Sequence, residues 1–328
     1  MNLSRSLSIG LHVPTFGPDR LPQAAEYTAF FRRAEALGFD AVWAEDRILH
    51  EVPILDPLLL LTWAASCTER MLLGTAIMVL NIRRAMVVAR QVATLHHLSG
   101  QRFALGVSIG GHPAEYAGAG VSMSKRVGVL RDALTVVRGL NSGAPFTYQT
   151  TTDDLPRATY ENAIVRPAAP VPLLMGGIAE PATVRAGELA DGWIMAPFGS
   201  LEDFARGWQL ARDGAEAAGR DPAQLVAGRL IYVCANPQTD KAREELQVFL
   251  RCYYGDLLDV DRDGIFGTAQ DVADQLKAQI AAGITHLMLG VPNLKLEHLE
   301  YLANAIIPQL RELSAGEPSG ATVEIPPS

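Results

Sequence analysis

The sequence predicts an α/β fold of the (β/α)8 barrel type, and three observations support this prediction. Short apolar segments alternate with longer amphipathic segments, this pair occurs eight times in succession, and 48% of the 328 residues are hydrophobic, which is enough for one large core. A doubly wound open sheet is the alternative, but eight units in a chain of this length close into a barrel more readily. We therefore predict one domain over residues 1–313.

The predicted strands are short apolar runs bounded by turn residues. In chain order they cover residues 7–12, 40–44, 71–79, 102–108, 172–175, 192–195, 227–234 and 285–290. The helices between them carry ordinary end signals, among them Pro22 in a first turn, Gly38 and Gly283 after a last turn, and Thr268 as an N-cap. These helices cover residues 22–37, 56–68, 84–98, 124–140, 180–190, 201–218, 239–257 with 268–282, and 296–313.

Two segments depart from the alternating pattern. Residues 143–170 contain Pro, Thr and Asp, and we predict an insertion after the fourth helix that crosses one mouth of the barrel. Residues 314–328 are rich in Pro, Gly and Ser, a composition typical of a disordered tail.

The composition excludes several kinds of partner. A net charge of −8 and a pI near 5.4 argue against a nucleic acid, which requires a basic surface. The longest apolar run is too short to span a membrane, and the first residues do not form a signal peptide, so we expect a cytoplasmic protein. Cys67, Cys234 and Cys252 are odd in number and widely separated, which favours free thiols over a disulfide framework.

Gly176 and Gly177 follow an apolar run at residues 171–175 and precede a predicted helix. Two glycines at this position let backbone N–H groups approach an anion, and the helix N-terminus favours negative charge. A phosphorylated cofactor and a simple tight turn are equally compatible with this stretch.

The barrel prediction also indicates where the active site lies, because functional groups in such barrels follow the C-terminal ends of the strands. Six groups of residues occupy these positions: His12 with Pro14, residues 45–47, residues 75–77, residues 108–115, Gly176 with Gly177, and Ala196 with Pro197.

Several motifs resemble those of the bacterial luciferase-like superfamily, in the correct order from about residue 9 to residue 310. They are GFDAVW at 38–43, LGTA at 73–76, ARQVATL at 89–95, LSGQRF at 98–103, Gly176-Gly177, ADGW at 190–193, and FGTAQDVA at 266–273 leading to Ala282-Gly283.

The resemblance implies a TIM barrel that binds reduced FMN or coenzyme F420, and a homodimer formed through helices near the second and third strands. It implies a non-prolyl cis peptide beneath the cofactor ring in the third strand and a phosphate site in the glycine turn. The corresponding cofactor-binding residues are Thr75, Ala76, Ile77, Ser108, Gly176, Gly177 and Ile178.

One position departs from the family pattern. Family members typically have an acid followed by His after the second strand, whereas this chain has Asp46 followed by Arg47. An arginine stays protonated near neutral pH, so any general base must come from another segment. We predict His112, Asp46 and Glu115 as catalytic residues, with His112 preferred as the base. His12, Pro14 and Arg47 are predicted to contact the substrate.

Two activities follow from the resemblance. The preferred one is a monooxygenase that uses reduced FMN, supplied by a separate flavin reductase, and O₂ on a small organic substrate. The alternative is an F420-dependent oxidoreductase that transfers hydride without O₂. The anionic tail of F420 calls for several cations, whereas the segments around Gly176 and Asp191 offer only Arg185. A relative that has lost its cofactor is a third possibility.

We predict no metal site. Residues 259–264 resemble the start of an EF-hand loop, but Gln270 stands where a bidentate Glu is required. His96 and His97 are adjacent on a helix, so their side chains point in different directions.

Overall fold

The computed structural model describes residue 3 and residues 6–152, 158–165 and 170–316. Its strands, in chain order, are β1 (Ser8–His12), β2 (Ala41–Ala44), β3 (Leu72–Thr75), β4 (Met78–Val79), β5 (Phe103–Ser108), β6 (Phe146–Gln149), β7 (Thr159–Ala163), β8 (Leu173–Gly176), β9 (Gly192–Met195), β10 (Val226–Ala235), β11 (Gly264–Gly267) and β12 (His286–Gly290).

The helices are α1 (Ala24–Ala36), α2 (Pro57–Cys67), α3 (Ala85–Leu98), α4 (Pro113–Ala119), α5 (Arg126–Leu140), α6 (Glu180–Leu189), α7 (Leu201–Ala217), α8 (Thr239–Tyr254), α9 (Val260–Asp263), α10 (Ala269–Ala281), α11 (Leu296–Ala305) and α12 (Ile307–Gly316). None of the helices in the described ranges combines the length and the apolar character that crossing a membrane requires.

Eight parallel strands close into a barrel in the order β1, β2, β3, β5, β8, β9, β10 and β12, and β12 pairs with β1. The predicted (β/α)8 barrel is therefore confirmed. The ten-residue β10 pairs first with β9, then with β12, and finally with β11, which extends the sheet beyond the barrel.

Alternate strand residues point into the barrel, as the two-residue period of a strand requires. Trp43 fills the interior beside two glycines. A Cβ on Gly10 would lie 2.7 Å from Nε1 of Trp43, and a Cβ on Gly74 would lie 2.2 Å from its Cζ3. The indole therefore fits only because both neighbouring strands carry glycine.

Most predicted elements have the expected bounds within two residues, and the differences have local causes. The predicted strand 71–79 is interrupted after Thr75, and it continues as β4. The short α4 and β11 were not predicted. The predicted last helix at 296–313 is two helices, α11 and α12, and the second extends to Gly316. Most of the predicted disordered tail, residues 317–328, lies outside the described residues.

The insertion forms an antiparallel hairpin of β6 and β7. It is anchored on α5 by Asp132, whose carboxylate accepts hydrogen bonds from Tyr148 Oη at 2.6 Å and from the Thr152 amide at 2.8 Å. Phe146 packs where a Cβ on Gly139 would lie. These contacts hold residues 143–152 and 158–165 against α5, with Thr152 beside Gly128 near the start of that helix. That the insertion crosses the mouth stays a prediction. Residues 153–157 and 166–169 lie outside the description.

Candidate active site

The C-terminal ends of the barrel strands form one opening, called the mouth below. At its edge the peptide bond between Ala76 and Ile77 is cis, at the position that the resemblance indicated. Across the mouth edge, the side chain of Ile77 lies over Gly176 of β8, and a Cβ on that glycine would be 1.7 Å from Ile77 Cδ1. The interruption in the third strand and the glycine turn are therefore direct neighbours.

His12 contacts the backbone at this interruption from inside the barrel. Its Nε2 lies 2.9 Å from the carbonyl oxygen of Ala76 and 3.2 Å from Glu45 Oε2, and its ring is buried. Both partners are acceptors, so this nitrogen carries the proton. The other oxygen of Glu45 accepts hydrogen bonds from the Thr15 hydroxyl and from the Thr15 amide, the latter at 3.3 Å. His12 is thus fixed between a carboxylate and the backbone of the third strand.

Aromatic side chains complete this side of the mouth. The ring of His12 meets that of Tyr232 edge to face, and the hydroxyls of Tyr232 and Tyr254 are 2.8 Å apart. Burial raises the pKa of both phenols, so both remain protonated near neutral pH. Tyr253 stacks on His50, whose Nε2 donates to the Tyr253 carbonyl at 2.8 Å while its Nδ1 accepts from the Val52 amide.

Asp46 points away from the barrel interior. Its carboxylate accepts hydrogen bonds from Arg83 Nη2 at 2.7 Å and from the Val79 amide at 3.1 Å, and its side chain is buried. Burial raises the pKa of Asp46, and the guanidinium of Arg83 opposes that rise. Asp46 therefore connects β4 and Arg83 to the end of β2.

Glu115 and Arg47 lie beside the loop that follows β2. The buried carboxylate of Glu115 accepts hydrogen bonds from the amides of Ile48 and Leu49 at 2.8 and 3.0 Å. Arg47 Nε lies 3.9 Å from the same oxygen, and this side chain is partly exposed. Glu115 thus fixes the path of the loop that carries Arg47.

Ser108 and His112 lie after β5. The hydroxyl of Ser108 accepts a hydrogen bond from the Gly110 amide at 3.3 Å. His112 precedes α4, and its Nδ1 is buried with no hydrogen-bond partner among the described residues. A buried polar atom without a partner is rare in proteins, and it indicates a position where a ligand can bind.

The turn from Gly176 to Ile178 has the features of an anion site. Ala179, at the N-cap of α6, has no side-chain oxygen that could bind the first helical amides. Gly177 has a φ of +156°, and a Cβ there would lie 2.8 Å from the Cβ of Ala182. Its carbonyl accepts a hydrogen bond from Trp193 Nε1 at 2.8 Å, and the side chain of Ile178 is exposed. The turn thus offers backbone amides to a phosphate, and a side chain at Gly177 would collide with α6.

Two other predicted residues have structural partners. The Thr75 hydroxyl donates to the Gly106 carbonyl at 2.7 Å and accepts from the Gly106 amide at 3.0 Å. The carbonyl of Pro14 accepts a hydrogen bond from Tyr27 at 2.7 Å. These contacts hold strands and loops together.

Four residues of this site were not among the predicted catalytic or binding residues: Glu45, Thr15, Tyr232 and Tyr254. The two-residue period of β2 could have identified Glu45, because Ala41 and Trp43 point inward and Glu45 follows in the same alternation. The same period on β10 places Tyr232 inside the barrel with Leu230, whereas no local signal identifies Tyr254, since its position depends on how α8 packs against β10.

The family model for luciferase-like monooxygenases matches residues 8–278. The chain belongs to this family. The resemblance inferred from the sequence is confirmed.

Two curated relatives illustrate the range of this family. An uncharacterised protein of Mycobacterium tuberculosis is 32% identical over 188 residues, which are 51% of this chain and 64% of that protein. This match therefore spans less than two thirds of the relative's length. The F420-dependent glucose-6-phosphate dehydrogenase of Kineococcus radiotolerans is 26% identical over 293 residues, which cover 80% of this chain and 86% of that enzyme.

Solved structures share the barrel. An F420-dependent secondary alcohol dehydrogenase, in complex with an F420-acetone adduct, has a TM-score of 0.80 at 22% identity and covers 93% of this chain and 99% of its own. The oxygenating constituent of 3,6-diketocamphane monooxygenase from Pseudomonas putida, in complex with FMN, has a TM-score of 0.73 at 16% identity, with 92% and 98% covered. At these identities the likeness shows the fold alone.

Proposed function

We propose that this enzyme is an F420-dependent oxidoreductase that transfers hydride to or from a small organic substrate at the mouth. The observation that carries the proposal is that Ile77, at the interruption of the third strand, lies against Gly176, so a surface for a planar ring adjoins the uncapped N-terminus of α6. A phosphorylated, ring-bearing cofactor fits this combination. Gly176, Gly177 and Ile178 would hold its phosphate.

The preference for F420 over FMN rests on cations that the sequence analysis did not bring together. Arg84 stands at the start of α3, and Lys125 and Arg126 stand at the start of α5, so all three lie on the mouth side of the barrel. The two helix starts are joined through Asn81, whose side chain donates to the Arg126 carbonyl at 2.7 Å. Arg84, Lys125 and Arg126 are exposed, and we call them the basic rim. It supplies the charge that an anionic tail requires.

The roles of the protein groups follow from their partners. The reduced deazaflavin supplies a hydride when it is bound. His12 and Glu45 hold the backbone of Ala76, which supports the ring. Nδ1 of His112 is free to exchange a hydrogen bond or a proton with the substrate, and Ser108 lies four residues before it. The phenols of Tyr232 and Tyr254 exclude water from this side and keep their protons.

A monooxygenase that uses reduced FMN and O₂, with a separate flavin reductase, is the second candidate. It is favoured by the lack of an exposed cation within the phosphate turn itself. Arg185, on α6, is buried, and its guanidinium is removed from the surface on which a tail would lie. Glu180 adds a negative charge to the first turn of the same helix. FMN has no such tail and would not need the basic rim.

An anaerobic titration distinguishes the two candidates. Purified protein is titrated with F420 and with reduced FMN, and the same titrations are repeated on a triple variant, Arg84→Gln, Lys125→Gln and Arg126→Gln. We expect F420 to bind more tightly than FMN, and its affinity to fall at least about 10-fold in the variant and at high salt. Tight binding of reduced FMN, with weak F420 binding that is unchanged in the variant, would contradict the proposal and support the second candidate.

We also propose that the enzyme is a homodimer through α2 and α3. Leu59 and Trp63 on α2 are 73% and 46% exposed, and Met86 and Val87 on α3 are similarly accessible. Apolar side chains of this size are typical of interfaces. Light scattering on the wild type and on Leu59→Asp should show a dimer and a monomer respectively.

A further inference from the structure

A compact group of potential metal ligands lies outside the site described above. Cys234 is near the end of β10, Glu245 is on α8, and His298 is on α11. Their Sγ, carboxylate and imidazole atoms all lie within 4.8 Å of one another, and within the described ranges this is the one such group. Thiolate, carboxylate and imidazole are the three ligand types that zinc uses in proteins.

The spacing within this group resembles a coordination sphere. Glu245 Oε2 lies 3.9 Å from Cys234 Sγ and 3.4 Å from His298 Nε2. Both distances are long for hydrogen bonds. Zinc at its usual bond lengths and a tetrahedral angle would separate the same atoms by about 3.3–3.6 Å. A shift of a few tenths of an ångström would give the carboxylate this spacing from both the thiol and the imidazole, which lie within 4.8 Å of each other.

The other carboxylate oxygen is already held by protein groups. Glu245 Oε1 accepts hydrogen bonds from Asn293 Nδ2 and from Lys295 Nζ, both at 2.7 Å. Such contacts fix the rotamer of the carboxylate and leave Oε2 directed at the thiol and the imidazole. Groups that orient a ligand in this way are a regular part of metal sites.

We propose that Cys234 Sγ, Glu245 Oε2 and His298 Nε2 bind Zn²⁺, with a fourth position open to water. The site would connect β10, α8 and α11 beside the mouth, since Cys234 follows Tyr232 by two residues on β10. The proposal is independent of the cofactor, and it replaces the prediction that the chain has no metal site.

Three features oppose binding and limit the affinity. Burial and the neighbouring Glu245 raise the pKa of the Cys234 thiol, whose proton a metal must displace. The other two are contacts of the cluster. The Lys295 ammonium lies beside Glu245 and repels a cation, although this side chain is half exposed and can turn into solvent. His298 Nδ1 faces Asn293 Nδ2 at 3.2 Å, and it must carry a proton when Nε2 binds a metal, so this contact is lost on binding while Asn293 keeps its hydrogen bond to Glu245. Zinc binding should therefore become tighter when Lys295 is removed, which an adventitious surface site would not show.

The test is a titration of the purified, chelator-treated full chain with Co²⁺ and Zn²⁺ alone. Co²⁺ bound by a thiolate gives a charge-transfer absorbance, which reports directly on Cys234. We expect saturation at one ion per chain in the wild type, loss of this absorbance in Cys234→Ser, and at least about 10-fold weaker Zn²⁺ binding in His298→Gln. Lys295→Ala should bind Zn²⁺ several-fold more tightly.

Cys252→Ser on α8 is the matched control, because Cys252 is a free thiol that lies outside the group. This variant should keep the absorbance, and circular dichroism should show that every variant is folded. An unchanged absorbance in Cys234→Ser, or no saturable binding in the wild type and in Lys295→Ala, would overturn the proposal and leave a purely hydrogen-bonded cluster.

Discussion

The two ends of the barrel each place one histidine in the interior, and the two side chains have different surroundings. At the mouth, His12 contacts Glu45 and the Ala76 carbonyl. At the opposite end, called the floor, His286 lies in register with Ser8 and Gly228. Burial lowers the pKa of His286 to about 4, so it is neutral near pH 7.

The two ends of the barrel differ in the polar groups that they leave available to a ligand. The mouth contains a buried carboxylate, a carbonyl held by an imidazole, an imidazole nitrogen without a partner, and a turn of glycines. The floor contains a neutral histidine whose desolvation costs stability only when it must take a proton. Both ends are well packed, so the distinction lies in which polar groups are left for a ligand.

The largest effect on cofactor binding is expected at the phosphate turn. Gly177→Val should weaken cofactor binding by about 100-fold or more, because the side chain would meet Ala182 and close the approach to the backbone amides. The measurement is the anaerobic titration described above. Gly118→Ala is the control, since a methyl group there meets no atom of the described residues within 4 Å. Retained affinity in Gly177→Val would remove the phosphate from this turn.

The second prediction concerns the stability of the fold, to which the contact between Glu45 and His12 contributes at the third strand. Glu45→Gln places an amide where His12 and Thr15 both require an acceptor, and it should lower the free energy of unfolding by about 3–5 kcal/mol. Urea denaturation measures the change. Glu26→Gln is the comparison, because Glu26 pairs with Arg20 at the surface, and there we expect less than about 1 kcal/mol. Equal losses in the two variants would show that the buried contact has no special role.

His286 at the floor should make the free energy of unfolding depend on pH. The pKa of His286 is about 4 in the folded protein and near 6.5 when unfolded, so the unfolded chain binds the proton first as the pH falls. Its contribution to stability is complete above about pH 6.5 and should decline by about 3 kcal/mol as the pH approaches 4. His286→Gln should remove this decline, whereas the exposed His97→Gln should keep it. Parallel unfolding curves for wild type and His286→Gln across this range would contradict the assignment.

The smallest expected effect is a loss of turnover when the His112 imidazole is removed. His112→Ala should lower turnover about 10-fold or more and leave cofactor affinity nearly unchanged, because Nδ1 has no partner among the described residues and the proposed function assigns it to the substrate. Steady-state kinetics and the cofactor titration measure the two quantities. His97→Ala serves as the control on an exposed histidine. An unchanged rate would remove His112 from the reaction.

Much of the barrel could be predicted from the sequence, because strand and helix periods are local properties of the chain. The bounds of β9 agree with the prediction, and those of β1 and β12 differ by one residue. The cis peptide was located through family motifs. The hairpin of β6 and β7 and its anchoring on α5 were not predicted, since they depend on the tertiary contacts of Asp132 with Tyr148 and Thr152.

The candidate site was less predictable, for physical reasons. Asp46 and Glu45 are adjacent in sequence, but the strand period directs Glu45 inward and Asp46 toward Arg83. The basic rim includes residues about 40 positions apart, and only the fold brings Asn81, three residues before Arg84, to the carbonyl of Arg126. Side-chain partners of this kind do not follow from order along the chain.

We propose that the mouth holds the cofactor ring against Ala76 and Ile77 and the phosphate against the glycine turn. A crystal structure of the protein with bound F420 would show both positions. In that structure we expect the phosphate within hydrogen-bond distance of the amides of Ile178 and Ala179, and the tail along the basic rim. A phosphate bound elsewhere, for example in the 400 Å³ cavity that Arg83 and Arg84 line with α5, would contradict it.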